Sequence, residues 1–139
     1  MQVRTCRLSP SARLPTVSQP GDVAADLHAA EAVIIPARGR CLVPTGLAME
    51  LPPGYRASIR SRSGLSLKHG IEAGAGLIDN QYRDAIGVLL YNHSDVDYPI
   101  AAGDRIAQIC IERYEEPGFI EVDELSSSSR TAGWGSSGV

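Results

Sequence analysis

The chain has 139 residues, a formal net charge of −3, 43% hydrophobic residues and only 5% aromatic ones. That length supports one domain with a core of its own, which must then be mostly aliphatic. The acidic balance argues against a general nucleic-acid binder, yet it leaves room for a small anionic ligand, because a pocket can be locally positive on an acidic protein.

Fourteen glycines and nine prolines punctuate short apolar runs roughly every eight to twelve residues, the rhythm of an all-β sandwich or barrel. In chain order, AVIIP (32–36) reads as a short strand stopped by Pro36. CLVPTGLAMEL (41–51) is apolar with a break at Pro44-Thr45-Gly46. YRASIRS (55–61) alternates Tyr55, Ala57 and Ile59 against Arg56, Ser58 and Arg60, a period of two. SGLSLKHG (63–70) is the best helical candidate, two turns ended by Gly70. AIGVLLYN (85–92) is nearly all apolar, as a strand covered on both faces would be. RIAQICIER (105–113) sets Ala107, Ile109 and Ile111 against Ile106, Gln108 and Cys110. PGFIEVDEL (117–125) is expected to close the regular part. Residues 1–125 thus form one domain, and the Ser- and Gly-rich stretch 126–139 a separate segment. That segment carries the chain's one Trp, Trp134, a residue costly to leave exposed.

Cys6, Cys41 and Cys110 are odd in number and far apart, which fits buried free thiols better than a metal site or a disulfide. His28, His69 and His93 form no ligand cluster. No signal-peptide pattern and no apolar run of about 18 residues is present. The expectation is a soluble intracellular protein, cytoplasmic or nuclear, without a membrane or nucleic-acid partner.

Several stretches carry chemistry. Arg62, Ser63 and Gly64 stand at the start of the helical candidate, where a planar guanidinium, a hydroxyl and backbone N–H groups make a phosphate cradle. A solvated turn with surface arginines would look the same. In GAGLIDNQYRD (74–84), Gly74 and Gly76 permit close backbone approach to a flat ligand. Tyr82 could stack on a sugar or base, and Asp79 could take a proton from water; a hairpin with Asp and Asn in its turn is the bland alternative. Gln108 is a polar residue within a strand pattern, and Asp26 lies among small and apolar neighbours in AADLHA. Arg130, Ser136 and Ser137 flank Trp134 among flexible glycines, as in a lid that orders over a nucleotide.

In chain order, AADLHA, RSGLSLKHGI, GAGLIDNQYRD, GDRIAQI and RTAGWGSSG resemble the five motifs of the trimeric dUTPases. The resemblance covers roughly residues 20–138. It implies a β jelly roll assembled as a homotrimer, with active sites shared between subunits and a C-terminal lid. It implies dUTP as substrate, Mg²⁺ as cofactor, and release of pyrophosphate after attack of water on the α-phosphorus. By the same resemblance Asp79 would hold the sugar 3′-hydroxyl and activate the water. Tyr82 would pack on the deoxyribose. Backbone around Gly76, Leu77 and Gly87 would read the uracil. Arg62, Ser63, Gly64 and Gln108 would hold the triphosphate, and Asp26 would act at the metal through water. Arg130, Ser136 and Ser137 would close over the γ-phosphate, Gly135 would line the same site, and Trp134 would cover the uracil.

The chain departs from the family pattern at four places: Ala24 and Asp84 replace glycines, Ser61 replaces a proline, and the last motif has one residue fewer between Arg130 and the aromatic. A Cβ at Asp84 costs about 1 kcal/mol if that position needs a positive φ. Two other readings remain: a dCTP deaminase, and a non-catalytic nucleotide-binding regulatory module on the same scaffold. The deaminase would need a Glu beside the base, and the one near the third motif is Glu72, upstream of the glycines.

Overall fold

The computed structural model describes residues 1–129. Ten strands and one helix follow in the order β1 (Arg4–Arg7), β2 (Ala25–His28), β3 (Val33–Ile35), β4 (Arg40–Glu50), β5 (Tyr55–Arg60), α1 (Ser63–His69), β6 (Ile71–Gly74), β7 (Leu77–Ile78), β8 (Ile86–Asn92), β9 (Tyr98–Ile100) and β10 (Arg105–Arg113). They build one four-stranded sheet in the order β1-β4-β8-β6, a second in the order β2-β10-β5-β7, and the pair β3-β9. Every pairing is antiparallel. The all-β fold expected from the sequence is present, as a jelly-roll sandwich.

The core lies between the sheets. Val43, Leu47, Val88 and Leu90 enter it from one side, and Leu27, Ala57, Ala107 and Ile109 from the other. Among the described residues none of the buried hydrophobic ones is aromatic, in keeping with the composition. Two buried polar residues hold irregular places. Asn92 donates to the carbonyls of Ile35 and Val96 and accepts from the Ser94 amide. Thr45 donates to the Ile86 carbonyl at 2.6 Å and accepts from the Leu47 amide at 3.2 Å. Thr45 thereby spans the register shift between Pro44 and Leu47. The break expected at Pro44-Thr45-Gly46 is thus a bulge within one continuous strand.

Three other expectations change. β8 is not covered on both faces: its burial alternates, with Ile86, Val88 and Leu90 buried and Gly87, Leu89 and Tyr91 half-buried. Apolar residues on its outer face disguised the period of two. Residues 117–125 form no strand. Pairing needs a partner edge, and Phe119 and Ile120 project from the chain 92% and 85% exposed. The three cysteines are free, as expected, but Cys6 is exposed and Cys41 and Cys110 are half-buried. Among the described residues no helix is long and apolar enough to cross a membrane.

Replacing Thr45 by Val keeps the shape but strips a partner from the buried Ile86 carbonyl and Leu47 amide. We expect a loss of about 1–3 kcal/mol, read from urea unfolding as a lower midpoint with an unchanged slope.

Candidate active site

The helix forms where the sequence places it. Ser63–His69 has basic residues in its last turn, and Gly70 caps it in the left-handed region at φ 67°, a conformation that costs glycine little. Arg62 is its N-cap, extended at φ −87° and ψ 126°, and caps the first turn with no side-chain bond. Its guanidinium instead turns toward β10, donating from Nη1 to the Arg105 carbonyl at 2.7 Å. Its Nε lies 3.7 Å from Asp26 Oδ1.

Asp26 is the electrostatic centre of this corner. It is only 4% exposed. Its Oδ2 accepts from Ser18 Oγ at 3.0 Å and from Arg105 Nη1 at 3.2 Å. A buried carboxylate needs such compensation, and here the partners are two guanidiniums and a hydroxyl. A cavity of about 280 Å³ opens beside them, lined by Ser18, Asp22, Asp26, Arg62, Ser63 and Gln108, among others. Gly64, Ala24 and Arg105 also line it. The structure therefore brings together Asp26, Arg62, Ser63, Gly64 and Gln108, all singled out in the sequence.

It also adds Arg105 and Ser18, which sequence reasoning missed. Strict alternation puts Arg105 and Gln108 on opposite faces. A register shift in β10 between Arg105 and Ala107 absorbs one residue, and Ile106 and Ala107 are both buried in succession. The bulge turns Arg105 and Gln108 toward one cavity. It also corrects the expected alternation, because Ile106 faces the core rather than sharing a side with Gln108. The polar Arg105 in the GDRIAQI stretch was the available signal.

His28, on the same strand as Asp26, pairs with Arg105 in register. It is buried, and its Nδ1 has no hydrogen-bond partner among the described residues. Burial, then the positive charge of Arg13, hold its pKa below the ordinary value; Asp26 opposes this, and Arg105 and Arg62 add to the lowering.

The third motif stands elsewhere. Gly76 has φ 85°, and a Cβ there would come within 2.9 Å of the Ile59 carbonyl oxygen. A Cβ on Gly74 would collide with the Tyr91 ring. In this chain both glycines serve packing of their own domain. β7 pairs Leu77 with Ser58 and Ile78 with Ala57, and Gly87 lies in β8 opposite Pro44. Asp79 follows β7 in a turn closed by the Tyr82 amide on the Asp79 carbonyl at 3.1 Å. The side chains of Asp79 and Tyr82 are exposed, and the Tyr82 hydroxyl donates to the Ala85 carbonyl at 3.0 Å. Asp79 lines a separate cavity of about 310 Å³ with Arg56, Leu77 and Tyr114. Across the β10-β5-β7 ladder, Gln108 pairs with Arg60 and Ile78 with Ala57. Asp79 is therefore two strands over and four residues along, roughly 16 Å from Gln108 at ordinary strand spacings. One chain does not bring Asp79 to the cradle.

The departures have local explanations. Ser61 Oγ accepts from the Ala73 amide at 2.9 Å, a tie to β6 that proline could not make. Asp84 does not adopt a positive φ; among the described residues the non-glycine ones that do are Arg38 and Ala75. Ala24 lines the cavity wall. Arg130, Trp134, Gly135, Ser136 and Ser137 lie outside the described residues. Glu72, the candidate for deaminase chemistry, is exposed and joined to His93 Nε2 at 2.7 Å.

The family model for dUTPase matches residues 11–138. The chain is 46% identical over 134 residues to the deoxyuridine 5′-triphosphate nucleotidohydrolase of Arabidopsis thaliana, covering 96% of this chain and 81% of that one. Its fold is similar to the dUTPase of Staphylococcus bacteriophage 80alpha solved with dUPNHPP, at a TM-score of 0.91 and 29% identity over 99% of both chains. It is also similar to a mutant dUTPase of phage phi11 of Staphylococcus aureus that coordinates a structural Mg(II) ion, at a TM-score of 0.83 and 25% identity. That match covers 90% of this chain and 99% of that one.

The lowered pKa of His28 fixes the sign of a pH effect. As pH falls below about 6.5 the unfolded chain takes up a proton that the folded chain resists. Stability therefore declines from there toward the lowered folded value, with no contribution above. We expect the melting temperature to drop between about pH 7.5 and pH 5.5, and to drop less in His28→Gln. Equal drops in both proteins would remove His28 from the effect.

Proposed function

The chain belongs to the dUTPase family, and from that premise we propose that it hydrolyses dUTP to dUMP and pyrophosphate. The observation that carries this is the buried Asp26 carboxylate, which holds Arg62 and Arg105 beside Ser63 and Gln108 around one polar cavity. Two guanidiniums, a hydroxyl and a side-chain amide supply donors suited to phosphate oxygens.

The charge of that cavity is nearly balanced, since Asp22 and Asp26 line it with Arg62 and Arg105. A triphosphate needs more positive charge than that. Among the described residues no group of three or more His, Cys, Asp or Glu could cage a metal. Such a site fits Mg²⁺, which keeps its waters and binds chiefly to substrate phosphates with one or two carboxylates nearby. Asp26, with Asp22 on the same cavity wall, would act on it through water, and the ion would neutralise phosphate charge. Arg130, from the C-terminal segment, is the second source of charge, with Ser136, Ser137 and Gly135 closing the same end.

Asp79 orients the attacking water and accepts its proton, while Tyr82 packs on the deoxyribose and leaves no room for a 2′-hydroxyl. Backbone groups around Gly76, Leu77 and Gly87 read the uracil, and Trp134 covers it. Positioning and charge stabilisation are the main terms in such a reaction. Since Asp79 and the cradle face different cavities, we assign them to one site built between subunits of a homotrimer. The exposed Phe119, Ile120 and Leu125 support association, because a monomer leaves such groups in water at a cost.

Purified protein with Mg²⁺ should release pyrophosphate from dUTP in strong preference to dCTP, dTTP and UTP; ammonia release from dCTP would favour the deaminase reading instead. Asp79→Asn should keep dUpNHpp binding and lose about 10²–10⁴-fold in turnover. Near-normal turnover would take Asp79 out of its role. The fluorescence of Trp134 should change when dUpNHpp and Mg²⁺ are added, and an unchanged signal would count against closure of the last motif.

A further inference from the structure

On the reading of Asp79 as the water-activating group, we propose that Asn80 is the positioning residue that fixes where that carboxylate stands. Asp79 is exposed, and among the described residues its carboxylate makes no hydrogen bond or ion pair. Its location is therefore set by the backbone on either side. On one side Ile78 is buried and paired with Ala57. On the other side is Asn80, whose Nδ2 reaches three main-chain carbonyls: Pro52 at 2.7 Å, Leu51 at 3.1 Å and Tyr55 at 3.3 Å.

The Leu51 and Pro52 carbonyls belong to the connection between β4 and β5, Leu51-Pro52-Pro53-Gly54, and the Tyr55 carbonyl to the first residue of β5. Two consecutive prolines have no N–H to offer, so this turn is short of donors. Leu51 is 2% exposed, and a buried carbonyl left without a partner is costly. Asn80 makes up the shortage with a side-chain amide, which carries two N–H groups. One turn thereby becomes the anchor of the other. The Asn80 carbonyl in turn accepts from Arg83 Nη1 at 2.6 Å, which braces the segment from Asp79 to Tyr82. The cradle around Arg62 and Gln108 takes no part in this network.

A displacement of about 1 Å at a catalytic group costs on the order of 10²-fold in rate. Loss of the Asn80 amide should therefore lower kcat and leave ground-state binding largely intact. Asn80→Asp is the sharper variant, because it keeps the shape while aiming oxygens at three carbonyls; Asn80→Ala simply removes the anchor.

The test compares kcat, KM and dUpNHpp affinity for wild type, Asn80→Ala and Asn80→Asp, below the melting temperature of each. We expect kcat to fall about 10- to 100-fold with analogue affinity changed less than about threefold. Unchanged kcat overturns the proposal, and so does an equal loss in kcat/KM and analogue binding at constant kcat, which would make Asn80 a binding residue. If neither variant folds, the wild type still decides: the Asn80 side-chain NH₂ protons, observed by ¹⁵N NMR, should exchange slowly with solvent. Free exchange overturns the proposal. Wild-type protein that releases no pyrophosphate from dUTP would sink the functional reading instead, a result distinct from active wild type with indifferent variants.

Discussion

A carboxylate taken almost wholly out of water must be met by charge and hydrogen bonds, and Asp26 is met by Ser18, Arg105 and Arg62. Much of the site's architecture follows from that constraint. Asp26 sits on β2, Arg105 on β10 and Arg62 before α1, so one buried charge ties two strands of a sheet to the entry of the only helix among the described residues. The guanidiniums are long side chains with much freedom to lose. Holding them beforehand removes part of the entropy cost of binding. The same pairing leaves the cavity close to neutral, so an incoming triphosphate must be accompanied by further cations.

Local signals made much of the fold readable. The helix from Ser63 and its stop at Gly70 came from a start signal and a glycine. The strands at Val33, Tyr55 and Arg105 came from short apolar runs between glycines and prolines. What escaped was decided by contacts the local pattern does not encode. The bulge after Arg105 depends on its pairing with β2, and it alone puts Arg105 beside Gln108. The outer face of β8 is apolar without being buried. Residues 117–125 have strand-like composition, yet they join neither sheet.

The candidate site was legible as a set of residues and not as a geometry. Asp26, Arg62, Ser63, Gly64 and Gln108 share a cavity, while Asp79 lines another. Sequence order cannot reveal that separation, because the ladder from β10 through β5 to β7 creates it. The departures from the family pattern show the same dependence on context. Ser61 exchanges a fixed φ for a bond to Ala73. Asp84 needs no left-handed backbone, which falls at Ala75 between two glycines instead.

The central claim is that a cradle from one subunit and an Asp from another make one site. Mixing inactive Asp79→Asn and Arg62→Ala proteins, after dissociation and reassembly in equal amounts, tests it most directly. In a cyclic trimer about a quarter of the sites would then combine an intact cradle with an intact Asp79. The account predicts pyrophosphate release from dUTP at about that fraction of the wild-type rate. Verified mixed trimers that stay as inactive as their parents would contradict it.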